Sequence, residues 1–346
     1  GLHAEDLIFP LFVFISGVSL VFSVGRSVAR GGRARAALRL VRRSALLFLL
    51  GLFYCGGLSG TWADLRLLGV LQYIALAGLL GGALFLALRR ARWLAAACAA
   101  LLLGHWALLE WVPFPDVRLD AAALAKAVER VGSREPLKVL QGATGTVRGR
   151  YEEGYNLSNY VDYRFLPGRK ANGAYENQPL MGVLGVTAVC LLGVLAGLWL
   201  RRTDVDARRR VAGLVAAGAV GAAVGALWGT QLPIVKKLLS PSFVLVAGGA
   251  SAALLGLFYA IVEVWKMRRW CQPFVWIGMN PLTLYLAHNV VSFQEVARRL
   301  AGGDLQRCLD AHVAAGAGGV LLALVELALS FLFVRFLYVR KVFIRL

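Results

Sequence analysis

Apolar runs separated by short polar connections recur along the 346-residue chain from its first turns to its last. Crossing a hydrocarbon core of roughly 30 Å takes about 18 or more such residues as helix. Runs of that kind fall near residues 7–24, 44–60, 67–88, 93–111, 180–200, 211–228, 242–264, 274–291 and 313–338. Lipid cannot satisfy backbone polar groups, so a spanning segment must bond to itself as a helix. The pattern predicts an all-α polytopic membrane protein with nine transmembrane helices in this chain. A long mixed-charge segment, 112–179, divides it into four helices over 1–111, an extracytoplasmic loop or lid, and five helices over 180–346.

Composition agrees: 59% of residues are hydrophobic and 16% charged, against about 45–50% and about 25% in soluble domains. A net charge of +19 could suggest nucleic acid, but its position excludes that reading. Arg26, Arg30, Arg33, Arg35, Arg39, Arg42 and Arg43 follow the first run, and Arg89, Arg90 and Arg92 follow the third. Arg201, Arg202, Arg208, Arg209 and Arg210 follow the fifth, Lys266, Arg268 and Arg269 the seventh, and Arg340, Lys341 and Arg345 the ninth. Alternate connections are basic, which is the bias of cytoplasmic loops. It places Gly1 outside, Leu346 in the cytoplasm and the segment 112–179 outside, with the lipid bilayer, read as a bacterial inner (plasma) membrane, as the partner of the apolar surface. An outside amino end with an odd number of spans predicts one more helix upstream of Gly1. A homodimer is compatible with the sequence, which carries no signal for it.

Within the outer segment, "LDAAALAKAVERV" has helical periodicity. "YEEGYNLSNYVDYRFLPGRKANGAYENQP" is rich in aromatic, amide and turn-forming residues; it suits either a lid over a polar ligand or a structural cap. Asn156 also heads a three-residue glycosylation sequon, a weak match. Cys55, Cys98, Cys190, Cys271 and Cys308 are scattered and read as small core residues. Gly221 and Gly225, four apart among alanines, predict close helix packing.

Ionisable groups in hydrocarbon cost about 2.5–3.5 kcal/mol at a helix centre, so each needs a reason. Asp6, at the outer mouth of the first run, is either a helix cap or a site acid, or a partner for an imidazole. In "WIGMNPLTLYLAHNV", Pro281 breaks the eighth helix after Asn280 and frees an amide at membrane depth, with His288 eight residues on. The charge rule sets His288 on the outer side, as it does Asp6 and the long loop. His105 reads as a satisfied interhelical hydrogen bonder, and Glu110 as an interfacial acid reaching for water. Glu326 is the deepest acid of the last run, without a role, and His312 has none either. Lys236 and Lys237 are basic on the outer side, against the bias, and suit an anionic partner or an interfacial anchor.

Four blocks together resemble the heparan-alpha-glucosaminide N-acetyltransferase family, as represented in bacteria. They are "GLHAEDLIFPLFVFISGVSL", "LLGVLQYIAL", "NLSNYVDYRFLPGR" followed by "GVLGVTAVCLLGVLAG", and "PIVKKLLSPSFVLVAGG" running on to "GMNPLTLYLAH". The resemblance implies a membrane acyltransferase that passes acetyl from cytosolic acetyl-CoA to an extracytoplasmic amino sugar or glycan. In the family, H-x-x-W-x-G-x-x-x-x-D-L precedes the first of these spans. Aligned on Gly1 and Asp6, it puts the family's catalytic histidine five places before Gly1, outside this chain; His3 matches no family histidine.

The same alignment implies Asp6, Asn280 and His288 as catalytic positions, with Asn280 donating to the thioester oxygen and the other two orienting the acceptor. It implies Asn156, Asp162 and Lys236 as substrate-binding positions. Arg39, Arg42, Arg43 and Arg269 are the candidates for the phosphates of acetyl-CoA. The chain departs from the family at Tyr73 (family Arg), Gln178 (family Glu), Val235 (family Asn) and Leu239 (family Trp). A sugar or metabolite transporter built on the broken eighth helix, and a non-catalytic descendant of the acyltransferases, are the rival readings.

Overall fold

The structure, a computed structural model, describes residues 3–57, 59–133, 135–143 and 145–343. Gly1 and Leu346, the ends that the charge rule assigns to opposite sides, lie outside the described residues, as does Arg345. The chain forms two compact units, Gly1–Ala260 and Ile261–Leu346.

In the first unit a 3-10 turn, Ala4–Leu7, leads into α1 (Ile8–Tyr54). The outer segment follows α2 (Val70–Leu88) and α3 (Ala91–Trp111). It holds strand β1 (Phe114–Pro115), helices α4 (Ala121–Val131) and α5 (Pro136–Gln141), strands β2 (Thr146–Val147), β3 (Tyr151–Glu152) and β4 (Tyr155–Asn156), and helix α6 (Leu157–Phe165). β1 pairs antiparallel with β2 and β3 with β4. Three helices complete the unit: α7 (Gly182–Leu200), α8 (Ala207–Trp228) and α9 (Pro241–Tyr259). The second unit contains α10 (Gln272–Met279), α11 (Pro281–Val291), α12 (Phe293–Ala301), α13 (Asp304–His312) and α14 (Ala317–Val339).

Among the described residues seven helices are long and apolar enough to cross a membrane. Two local features separate this from the nine predicted spans. The first two spans fall within one helical stretch, Ile8–Tyr54, which is two helices joined across a kink at Gly31 (φ −164°) and Gly32 (φ 76°). Ala, Arg and Leu are strong helix formers, so "ARAALRLVRR" stays helical although its charges interrupt the hydropathy. The eighth run is broken where Pro281 predicts, at Asn280 (φ −136°, ψ 42°), into pieces of 8 and 11 residues. The amphipathic helices α12 and α13 occupy what the sequence reading left as a connection.

Helix α4 forms as its periodicity predicts, with Asp120 accepting from the Ala123 amide at 2.9 Å as its N-cap. Gly132, at φ 68°, ends it in the left-handed conformation that glycine adopts without cost.

Backbone contact holds α1 against α7. A Cβ on Gly17 would lie 2.1 Å from the Cys190 carbonyl oxygen, one on Gly193 2.0 Å from that of Phe14, and one on Gly197 3.0 Å from that of Val18. From Phe14 against Gly193, through Val18 against Gly197, to Gly25 against Arg201 the numbers rise together, so the two helices run parallel. The contacts of α8 on α9 run the other way: Gly218 meets Gly249 and Gly225 meets Ser242. Gly221 lies over Gly249 in the same face, so the small-residue stripe packs as predicted. Phe14, Val21, Leu94, Leu191, Phe243 and Val244 are buried in the core of this unit.

Candidate functional site

At the N-terminal end of α1, Asp6 is held by two donors. Its Oδ2 accepts from the His3 amide at 3.0 Å, and its Oδ1 accepts from Lys236 Nζ at 2.8 Å. The cap reading of Asp6 is realised, the donor from His3 being its backbone and not its imidazole, and the ion pair with Lys236 is a contact the sequence did not announce. Lys237 Nζ lies 2.5 Å from Glu153 Oε1 in the outer segment. The two lysines set against the positive-inside bias therefore meet anions of the protein itself.

The turn that carries them is built by Ser240. Its Oγ accepts from the Val235 amide at 3.0 Å, donates to the Pro233 carbonyl at 2.9 Å and caps α9 through the Phe243 amide. Leu239, buried beside Gly182 and Gly185, adopts φ 48°, a left-handed conformation costly for a branched side chain.

Beneath the outer segment lies a second cluster. Arg66 reaches Glu176 with both prongs, Nε to Oε1 at 2.9 Å and Nη2 to Oε2 at 2.8 Å, and Glu176 is fully buried at the carboxylate. Arg66 Nη2 also lies 3.5 Å from Gln178 Oε1. Asp162, buried on α6, accepts from the Glu176 and Leu180 amides at 3.1 and 2.8 Å. Burial pushes its carboxyl up to about 7, against the pull of those two amides. Tyr73, buried in α2, donates to the Pro179 carbonyl. Gly168, at φ 80°, brings its backbone against the Leu65 carbonyl, which accepts from the Arg169 amide at 3.1 Å.

Two positions that depart from the resembled family, Tyr73 and Gln178, thus stand in one network with a buried arginine–glutamate pair. Sequence reasoning passed over Arg66 and Glu176. The available signal was that Arg66, like Lys236, is basic on the outer side.

Asn156 is the N-cap of α6: its Oδ1 accepts from the Asn159 amide at 2.9 Å, and its Nδ2 donates to the Glu152 carbonyl at 2.7 Å and to Asn159 Oδ1 at 2.6 Å. It is buried, which takes the sequon away from the surface. Arg39, Arg42 and Arg43 lie exposed on the second half of α1. Glu110 accepts from the Tyr151 hydroxyl instead of reaching for water. His105 corrects its expectation: it is fully buried in α3 and neither ring nitrogen has a partner among the described residues. Its flanking positions are leucine, glycine and tryptophan, which offer the ring no local acceptor.

In the second unit Asn280 ends α10 and starts α11. It is buried, and neither atom of its amide is bonded among the described residues. An unspent buried amide costs about 1–3 kcal/mol. His288 points into a cavity of about 260 Å³ shared with Ile277, Leu284, Glu326, Ser330 and Phe331. Its Nδ1 is 3.1 Å from the Leu284 carbonyl oxygen, and its Nε2 is 3.5 Å from Ser330 Oγ and 3.7 Å from Glu326 Oε1. A carbonyl can only accept, so Nδ1 carries the proton and the lone pair of neutral His288 sits at Nε2. Glu326, the deep acid that the sequence left without a role, lies beside that nitrogen. Arg269 is exposed in a short turn of the same unit. His312 ends α13, its Nδ1 3.0 Å from the Cys308 carbonyl oxygen.

Residues 2–120 match the family model for the catalytic region of heparan-alpha-glucosaminide N-acetyltransferase. The chain is 26% identical over 326 residues to the heparan-alpha-glucosaminide N-acetyltransferase of Mus musculus, covering 84% of this chain and 48% of that protein. To the Homo sapiens protein of the same name it is 25% identical over 323 residues, with the same 84% and 48% covered. The chain spans about half the length of these curated relatives. The likeness read from four ordered sequence blocks thus extends along most of the chain.

Proposed function

We propose that this protein is a membrane-embedded acetyltransferase that passes an acetyl group from cytosolic acetyl-CoA to an extracytoplasmic amino sugar or glycan. The observation that carries the reading is the Asp6–Lys236 pair, 2.8 Å apart. It joins two of the blocks in which the chain resembles N-acetyltransferases, one inside the matched residues 2–120 and one far beyond them.

The chemistry needs three things. The amine must lose a proton as its nitrogen bonds to the acetyl carbon. The thioester oxygen must be stabilised as charge develops, and the sulfur must leave as a thiol or thiolate. His288, with its lone pair at Nε2, supplies the base, and Glu326 holds the resulting imidazolium. The unspent Asn280 amide suits the carbonyl oxygen. Asp6 and Lys236 orient the acceptor, Asp162 and Asn156 shape the segment over it, and the arginines at 39, 42, 43 and 269 attract the donor's phosphates.

The test uses membranes from cells expressing the whole gene, supplied with radiolabelled acetyl-CoA and glucosamine. Label in N-acetylglucosamine, reduced by Asp6→Asn and by His288→Gln, is the expected result. Glucosamine uptake without acetylation would instead establish a transporter. Neither activity in a protein that is folded and inserted would leave a non-catalytic descendant.

A further inference from the structure

The parallel α1–α7 seam ends, on its basic side, in an open cavity of about 380 Å³ lined by Val21, Phe22, Gly25, Arg26 and Arg201. Arg26 Nε donates to the Phe22 carbonyl at 3.2 Å, which orients the guanidinium while leaving its terminal nitrogens for another acceptor. Gly25 gives Arg201 its room, since a Cβ there would lie 3.0 Å from Arg201 Nη1.

Neither arginine has a carboxylate of its own among the described residues. The basic stretch 26–43 contains no acid at all, and the two acids of the connection after α7 are taken by other residues. Asp204 pairs with Arg202 and Asp206 with Arg209. Two guanidinium groups therefore share one cavity without a counter-charge, on a floor formed by the buried Val21 and by Phe22. Most arginines on this side only mark topology; these two differ in lining one cavity.

We propose that Arg26 and Arg201 form a binding site for the phosphate of a phospho-organic ligand. The guanidinium fork matches phosphate oxygens, and two forks around one cavity suit a dianion or a diphosphate. The volume lies within the roughly 300–1,000 Å³ of small-molecule sites and exceeds what a bare phosphate fills, so the ligand carries an apolar portion against Val21 and Phe22. Two sources share this chemistry. One is the nucleotide end of a coenzyme A donor, a choice that rests on the acetyltransferase reading. The other is the headgroup of an anionic phospholipid.

The experiment reconstitutes the full chain in phosphatidylcholine nanodiscs, with and without phosphatidylglycerol. Coenzyme A binding is measured by calorimetry and retained phosphatidylglycerol by native mass spectrometry. The variants are Arg26→Gln, Arg201→Gln and their double, with Arg208→Gln as an exposed control outside the cavity. A loss of about tenfold or more in one probe is expected for the double variant, the size of one charged hydrogen bond, with the control unchanged. Loss confined to coenzyme A assigns the site to the donor, and loss confined to phosphatidylglycerol assigns it to lipid. A folded double variant that binds both probes like the parent protein overturns the proposal; if the double does not fold, the single variants decide by the same criterion. Acetyl transfer is assayed separately. Failure of transfer with the binding loss intact would sink the enzymatic reading alone, and transfer with both probes unaffected would sink this site alone.

Discussion

Lys236 and Asp6, 230 positions apart in sequence, meet with Nζ 2.8 Å from Oδ1. The contact ties the turn before α9 to the first turn of the chain's opening helix, at the level of the outer segment. Its members differ in exposure, 45% for the lysine side chain and 17% for the aspartate. Partly exposed pairs of this kind contribute little to stability, so the reason for the pair is sought in function. Lys236→Met is expected to lower acetyl transfer by about tenfold or more while shifting the melting temperature by no more than about 2 °C, with partial recovery in Lys236→Arg. A large thermal shift with transfer unaffected would assign the pair to structure alone.

Arg66 and Glu176 make the opposite case. The carboxylate is buried and its two-pronged partner is 24% exposed. Removing the cation strands a charge in the interior, at a cost of about 3–5 kcal/mol. Arg66→Met should therefore be far more destabilising than the double variant Arg66→Met/Glu176→Leu, in which the stranded charge is gone. Chemical or thermal unfolding of the purified protein checks the order of the two.

Asp162 sets a pH dependence for the outer segment. Its folded carboxyl is raised to about 7 from an ordinary value of 3.8. The folded state therefore holds the proton more tightly than the unfolded chain does. Stability from this group is fully present below about pH 4, falls as pH rises from there to about 7, and is level above. Amide exchange at Glu176 and Leu180 should be slower at pH 5 than at pH 8 after correction for intrinsic rates. Asp162→Asn should flatten that difference, and an unchanged slope in the variant would assign it to another group.

Gly193 and Gly78 test the seam. A Cβ on Gly193 would lie 2.0 Å from the Phe14 carbonyl oxygen, whereas one on Gly78 meets nothing within 4 Å. Gly193→Ala is expected to cost about 1–3 kcal/mol or more through overpacking. Gly78→Ala should be neutral or stabilising by up to about 1 kcal/mol, from helix propensity alone. Folded yield and melting temperature of the two variants, compared side by side, decide it.

His288 and Glu326 should act as a unit. If the glutamate stabilises the imidazolium at 3.7 Å, the losses in transfer from His288→Gln and Glu326→Gln will be less than multiplicative in the double variant. Strictly multiplicative losses would separate the two residues.

What the sequence disclosed and what it hid follow from the range of each interaction. Spanning helices declare themselves through local hydropathy, and Pro281 declares the break at Asn280 through its own missing donor. The division of Ile8–Tyr54 into two helices was legible as a gap in hydropathy, whereas the place of the kink, Gly31 and Gly32, shows only in the backbone, because alanine and arginine on either side are good helix formers. The role of Lys236 was half legible: its sign was wrong for an outer position, but its partner lay 230 residues away. Arg66 and Glu176 left less trace, since neither has a motif and 110 positions separate them. Gly17, Gly193 and Gly197 are ordinary small residues until the register of two parallel helices sets them against opposing carbonyls. Asp162 gave its location through a family-like block and its proton affinity only through burial.

Contact through main chain, without intervening side chains, makes α1 and α7 behave as a single strut. From Ile8 to Arg26 that strut is roughly 30 Å long at 1.5 Å per residue, and sliding one helix along the other would drive carbonyl oxygens into Cα positions. The spacing between the aspartate at one membrane face and the arginines at the other is therefore constant. Communication between the two faces must come from a reactant long and thin enough to reach along this strut, or from helices elsewhere that move while it stands still.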